Sequence, residues 1–276
     1  MNYKIVSDSA SNLISMKDFP YESVPLHIMV GEKTFTDDST LDIHAMYEAL
    51  ASYNGKSSTS CPSPDDWCKA FGDADAVFCV TITSGLSGSC SSAHTAKQMY
   101  EEKYPDRKVY IVDSLSTGPE MVLLIEKIKE LIEKGEEAEK IYKEVTAYHK
   151  RTHLFYALAS LNNLAKNGRV SPLVAKGISV LGIRIIGTAS EEGTLKPVNK
   201  ARGDKKAMQK LVGCMKSLGY KGGKIVISHS DNLSACEELK RLIQEAFGKF
   251  NGFIHENTAL CSYYAELHSV LIGFEV

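Results

Sequence analysis

Residues 76–82, Ala-Val-Phe-Cys-Val-Thr-Ile, show no alternation of apolar and polar side chains. A strand with one face in water alternates. A strand that reads as a continuous apolar run is buried on both faces, and such strands belong to parallel sheets covered by helices. The surrounding sequence supplies those helices. Ser63-Pro64-Asp65-Asp66 is a helix start, with Ser as N-cap, Pro in the first turn and acids beside it. The sequence predicts a helix over about 88–103 and a strand at Val109-Tyr110-Ile111-Val112. The next helix carries Met121, Leu124, Ile125, Ile128, Leu131 and Ile132 at helical spacing and stops at Lys134-Gly135. Tyr3-Lys4-Ile5-Val6 reads as a first strand. The run 24–30 reads as another, with Pro25 near its start, and 42–52 as a helix. Strand, loop and helix thus alternate, as in a parallel sheet with helices on its faces.

The second half differs. A charged helix over 136–148 bridges to it. A strand is expected at 154–158, a helix over 173–180 and a strand at 182–186. A turn at Glu191-Glu192-Gly193-Thr194 and a short edge strand at Leu195-Lys196-Pro197-Val198 read as a hairpin, so this sheet is at least partly antiparallel. Helices at 204–218 and 233–247 and strands at 225–228, 252–255 and 268–275 finish the chain. At 276 residues the length suits two domains of roughly 100–200 residues each. The expected fold class is α/β. Residues 1–150 form a parallel sheet flanked by helices, and 151–276 form a mixed α/β domain.

Composition removes several function classes. Net charge is -2, so no basic surplus exists to offset a phosphate backbone, and nucleic acid is not an expected partner. No apolar stretch approaches the ~18 residues of a membrane span. The N-terminus has no apolar leader, and a cytoplasmic location is expected. The seven cysteines are odd in number, widely spaced and without a C-x-x-C, which suits buried thiols and neither a disulfide framework nor a zinc site.

Four hydroxyl-rich loops remain: 7–11, 57–63, 83–89 and 113–118. Singly, each is a capping loop. Together, at the carboxyl ends of parallel strands, they gather hydroxyls into one crevice where ligands bind. Hydroxyls and helix N-termini favour an anion. None of the four loops contains Lys or Arg, so a single carboxylate fits better than a polyphosphate. Two catalytic alternatives stand beside this. Gly85-Leu86-Ser87-Gly88-Ser89 is near a nucleophile elbow, with Ser89 where a glycine is required, so an acyl hydrolase or transferase using Ser87 is one. A metal held by Asp8 and Asp113 is the other. The second half adds the cations Arg169, Arg184, Arg202, Lys205 and Lys206, and the histidines His229 and His268.

The chain resembles the DegV family of bacterial fatty acid-binding proteins. The resemblance rests on Ser7-Asp8-Ser9-Ala10-Ser11-Asn12-Leu13, Thr59-Ser60-Cys61-Pro62-Ser63, Ser84-Gly85-Leu86-Ser87-Gly88-Ser89 and Asp113-Ser114. It continues through the segment from Leu161 to Gly168-Arg169-Val170-Ser171 and through Lys200-Ala201-Arg202-Gly203-Asp204-Lys205-Lys206-Ala207, all in register. It implies two α/β domains with an acyl chain buried at or near their junction. The implied ligand is a long-chain fatty acid whose carboxylate is bonded by Thr59 and Ser87. Ser60, Gly88, Ser89 and His268 complete the expected ligand-binding set, and Arg169 and Arg202 are expected at the head group or a docking surface. The resemblance also implies a carrier with no cofactor that presents its ligand to a separate fatty acid kinase of the dihydroxyacetone-kinase type, which makes an acyl phosphate. A module for another small carboxylate is a further alternative. Two departures stand out: Cys61 in place of Gln, and His268-Ser269-Val270-Leu271-Ile272-Gly273 in place of a His-Thr-Gly-Pro-Gly turn.

Overall fold

The computed structural model of the chain describes residues 2–171 and 182–276. β1 (Tyr3–Asp8) leads through a single 3-10 turn at Ser9–Ser11 to β2 (Tyr21–Val24). β3 (His27–Val30) and β4 (Lys33–Thr36) follow as a hairpin. Then come α1 (Ile43–Ser52), β5 (Ser58–Ser60), α2 (Pro64–Phe71) and β6 (Ala76–Thr81). α3 (Ser89–Lys103), β7 (Lys108–Asp113), α4 (Pro119–Glu133) and α5 (Ala138–His149) complete the first half.

β2, β1, β6 and β7 lie in that order in an all-parallel sheet, and every residue of β6 is buried, as its apolar run requires. The capping box at the start of α2 is complete: Ser63 accepts from the Asp66 N–H, and the Asp66 carboxylate accepts from the Ser63 N–H.

Two first-half expectations change. The run 24–30 is not one strand. Pro25, which has no N–H to give a ladder, ends β2, and β3 starts in a different sheet. The segment 57–63 is not wholly loop. Ser58–Ser60 is β5, antiparallel to β3 in a three-stranded sheet of order β4-β3-β5.

The second half holds β8 (Thr152–Leu158), α6 (Asn162–Lys166), β9 (Ile183–Ala189), β10 (Leu195–Arg202), α7 (Asp204–Ser217) and β11 (Ile225–Ser230). α8 (Leu233–Phe247), β12 (Gly252–Glu256), α9 (Ala259–Ala265) and β13 (Ser269–Glu275) end it. Its strands form a six-stranded sheet of order β10-β9-β8-β13-β11-β12, antiparallel except for β11 and β12. The expected hairpin is there, with β10 at the sheet edge and longer than expected. The helix expected over 173–180 lies outside the described residues, and α9 was not foreseen. The architecture is two α/β domains.

α4 joins them. A helix on one sheet buries one stripe. α4 buries Val122 and Leu123 as well as the stripe read from the sequence, because it touches β1 and β6 on one side and β8, β11 and β13 on the other. Gly273 on β13 makes this approach possible: a Cβ there would come within 2.7 Å of the backbone at Pro119 and Glu120. Gly273→Ala is therefore expected to push the start of α4 off the sheet and destabilise the fold by about 1–3 kcal/mol, the usual cost of overpacking. Urea unfolding read by circular dichroism checks this.

Candidate functional site

A cavity opens between the carboxyl-end loops of the parallel sheet and one face of the six-stranded sheet. Leu154, Tyr156 and Leu158 alternate along β8 and face it. Leu26, Ile82 and Leu86 come from the first half, and Leu260, Cys261 and Tyr264 from α9. The space among these side chains is about 840 Å3, counting the part open to solvent. Where the two halves meet at its rim, Thr83 Oγ1 donates to Gly193 O at 2.8 Å.

The hydroxyl loops divide into two groups. Thr59, Thr83, Ser87, Ser116 and Thr117 line the cavity. Most of the others are spent on the frame or face solvent, and the crevice is less crowded with hydroxyls than expected. Ser7 bonds Ser11 at 3.0 Å and Tyr21 at 2.7 Å, and Ser9 Oγ accepts from the Leu26 N–H at 3.0 Å. Ser114 Oγ donates to Ser116 O, and Ser89 Oγ donates to Asp8 Oδ2 at 2.6 Å. Short hydroxyl side chains at strand ends find nearby partners first.

Two of the cavity hydroxyls keep a proton to give. Ser87 Oγ accepts from the Ser89 N–H at 3.2 Å, which caps the start of α3 and leaves its own O–H uncommitted among the described residues. Thr59 Oγ1 lies 2.8 Å from the Tyr264 hydroxyl. That pair has two O–H protons and one bond between them, so one proton remains for a ligand. Arg169 stands nearby, its Nε donating to Leu86 O at 3.1 Å and its guanidinium 5.8 Å from the Tyr264 ring. Hydroxyl donors beside a guanidinium form a head-group site for an anion.

The remaining sequence-selected residues lie outside the cavity lining. Ser60 and Gly88 are exposed neighbours of Thr59 and Ser87. Ser89 is buried against Asp8. Arg202 is exposed at the end of β10. His268 is exposed between α9 and β13, its N–H donating to Ser230 O. His229 is buried, with Nδ1 accepting from the Asn232 N–H, and burial lowers its pKa. Asp8 and Asp113 each accept backbone N–H groups, from Ile82 and from Ser84 and Leu115. Among the described residues no group of three His, Cys, Asp or Glu is placed to hold a metal, and no histidine bonds Ser87.

Tyr264 is the residue that sequence reasoning missed. The sequence signal was Leu260 and Tyr264 four residues apart, one face of a short helix. Asp37 fixes that helix. Its buried carboxylate accepts from the Ala259 N–H at 2.7 Å and the Leu260 N–H at 3.0 Å, and burial raises its pKa. Tyr263, beside it, bonds Ser57 at 2.7 Å and Asn167 at 2.8 Å, which pins α9 to the three-stranded sheet and to α6. Cys261 also faces the cavity, and burial pushes its thiol up to about 12.

The DegV family model matches residues 2–275. The chain belongs to the DegV family. A DegV domain-containing protein of Streptococcus pneumoniae is 41% identical over the whole of both chains. The crystal structure of the Streptococcus pneumoniae fatty acid kinase (Fak) B3 protein, loaded with linoleic acid, has a TM-score of 0.98 at 41% identity, covering 100% of each chain. A DegV family protein from Eubacterium eligens, loaded with heptadecanoic acid, has a TM-score of 0.97 at 42% identity, covering 99% of each. Among the described residues of this DegV chain, no helix is long and apolar enough to cross a membrane.

One carboxylate of this DegV chain sets a pH dependence. Asp8 is fully buried, and burial pushes its carboxyl up to about 7 against the opposing pull of the Ser89 hydroxyl and the Ile82 N–H. Its Oδ1 has no hydrogen-bond partner among the described residues. An unfolded Asp titrates near 3.9. Between the two values the folded chain holds the extra proton, so this group's contribution to stability is full below the lower value and is lost as pH rises through the upper one. Asp8→Asn keeps an acceptor for Ser89 and Ile82 without the charge. Its unfolding free energy relative to the unsubstituted chain should rise by on the order of 4 kcal/mol from about pH 4 to pH 8. Urea titrations at each pH check this, and parallel curves would show that Asp8 does not titrate near neutrality.

Proposed function

We propose that this chain binds a long-chain fatty acid, holds its carboxylate with Thr59 and Ser87, and presents it to a separate fatty acid kinase for conversion to an acyl phosphate. The observation that carries this reading is the pair of uncommitted protons, on Ser87 and on the Thr59–Tyr264 pair, at the edge of an apolar cavity. The loaded ligands of the two similar structures support the ligand class. The kinase is supported by the name of the Streptococcus pneumoniae protein. Arg169 beside Tyr264 supports a head-group role for that cation, and the exposure of Ser60 and Gly88 suits a head group within reach of a second protein. Ser89 acts in this reading through Asp8 and the start of α3. Arg202 and His268, exposed and off the cavity, fit a docking surface better than a ligand contact. We place the domain division at 150/151, with 151–276 covering the acyl chain, and the protein in the cytoplasm. It acts as a carrier and leaves the chemistry to the kinase.

The energetics follow from the lining. A buried methylene contributes about 0.8 kcal/mol, so an acyl chain of ~14 methylenes contributes roughly 11 kcal/mol gross. A charge-assisted hydrogen bond adds about 1.5–3 kcal/mol. The tail supplies affinity, and the hydroxyls fix which end faces out.

Native mass spectrometry of the protein purified from a bacterial host tests this. The expected spectrum shows one fatty acid per chain, and the doubly substituted Thr59→Ala, Ser87→Ala protein is expected to stay folded and lose most of that ligand. Unchanged ligand content in the double variant would remove those residues from the head-group site. In the presence of a fatty acid kinase and ATP, acyl phosphate should appear only with the loaded protein.

A further inference from the structure

The wall facing the acyl chain contains a polar group that a plain hydrocarbon leaves unsatisfied. Tyr156 is 4% exposed and lies on β8 between Leu154 and Leu158, facing the cavity. Among the described residues its hydroxyl has no hydrogen-bond partner. The other buried tyrosines are all bonded: Tyr100 to Gly72 O, Tyr148 to Glu275, Tyr220 to Gly223 O, and Tyr263 to Ser57. Among the described buried tyrosines, Tyr156 alone thus keeps a donor with no protein acceptor, in a wall that the ligand faces.

The frame fixes where this hydroxyl sits. Tyr156 pairs with Gly187 on β9, and a Cβ at Gly187 would collide with the phenol oxygen. The ring therefore lies across the neighbouring strand, in a slot that only glycine leaves open. Its surroundings are apolar: Leu154, Leu158, Leu161, Leu164, Ile185 and Leu271 form one cluster with it. The adjacent Thr188 hydroxyl is committed to Leu154 O at 2.7 Å.

We infer that Tyr156 is a specificity-determining residue whose hydroxyl reads an oxygen, hydroxyl or oxo, carried part-way along the acyl chain. The inference rests on the carrier reading above and extends it from a plain fatty acid to an oxygenated one. A carboxylate does not suit this position, because one neutral donor in an apolar wall cannot replace the hydration of a charge. A methylene offers no acceptor, and a double bond is a weak one. A neutral oxygen satisfies the donor at the cost of one partner. Burial raises the pKa of Tyr156, which keeps the hydroxyl protonated and able to donate.

Displacement of a fluorescent fatty acid tests this, with stearic acid compared against hydroxystearic and oxostearic acids substituted at successive carbons. The unsubstituted protein is expected to bind at least one positional isomer as tightly as stearic acid or more so. In Tyr156→Phe that isomer alone should weaken, by about tenfold relative to stearic acid, the worth of one ordinary hydrogen bond. Removing an unpartnered hydroxyl breaks no bond, so the empty Phe variant should melt no lower than the parent chain. Uniform weakening of every oxygenated acid in the parent protein would overturn the inference without any variant. An equal loss for all acids in Tyr156→Phe would move the hydroxyl to the carboxylate and also overturn it. So would a preference for linoleic over stearic acid that disappears in the variant while no oxygenated acid is favoured. Failure of stearic acid itself to bind would remove the carrier reading and this inference with it, a result distinct from the others.

Discussion

A carboxylate with no access to water holds one wall of the cavity in place. Asp37 follows the hairpin of the three-stranded sheet, and both its oxygens accept N–H groups at the start of α9. Asn12 bonds the adjoining Thr258 N–H and Asn257 side chain, which ties the same helix start to the end of β1. Through these bonds a short helix, too brief to be stable alone, sets Leu260, Cys261 and Tyr264 into the cavity. The Thr59 hydroxyl meets Tyr264 only because the helix stands there.

The cavity is a consequence of two sheets sharing one helix. α4 is buried on two sides, and the segment just before it, Ser116 and Thr117, lines the cavity. The gap is closed at the rim by the bond from Thr83 to the Gly193 carbonyl. Most hydroxyls near the parallel sheet's edge satisfy backbone or one another, and among those that face the gap Ser87 and the Thr59–Tyr264 pair keep a proton free. A site of this kind gains selectivity from scarcity: each free donor in an apolar surround acts as a fixed question to the ligand.

Local pattern decided what the sequence could disclose. The apolar run of β6, the capping box of α2 and the stripe of α4 are set within a few residues, and each is visible in the letters. The loop carrying Ser87 is legible for the same reason, since strand, glycines and helix adjoin it. The three-stranded sheet was not, because β5 is three residues of Ser and Thr that become a strand only on pairing with β3. Tyr264 was hidden by distance, its partner Thr59 lying 205 residues away. His268 carried the stronger chemical signature, yet the turn after α9 carries it to the surface. Pro25 marks a crossing between sheets, and a window of apolar residues does not record which sheet each belongs to.

The slot beneath the Tyr156 ring also constrains how this frame evolves. Position 187 gains a side chain only if position 156 gives up its ring, since the two occupy one volume on neighbouring strands. Either change alone passes through a clash or a void, and both lower stability. Drift at this pair is therefore expected to be concerted, one position changing with the other. A switch of the pair would widen the cavity and remove the Tyr156 hydroxyl in one step, with no intermediate in which only one of the two has changed.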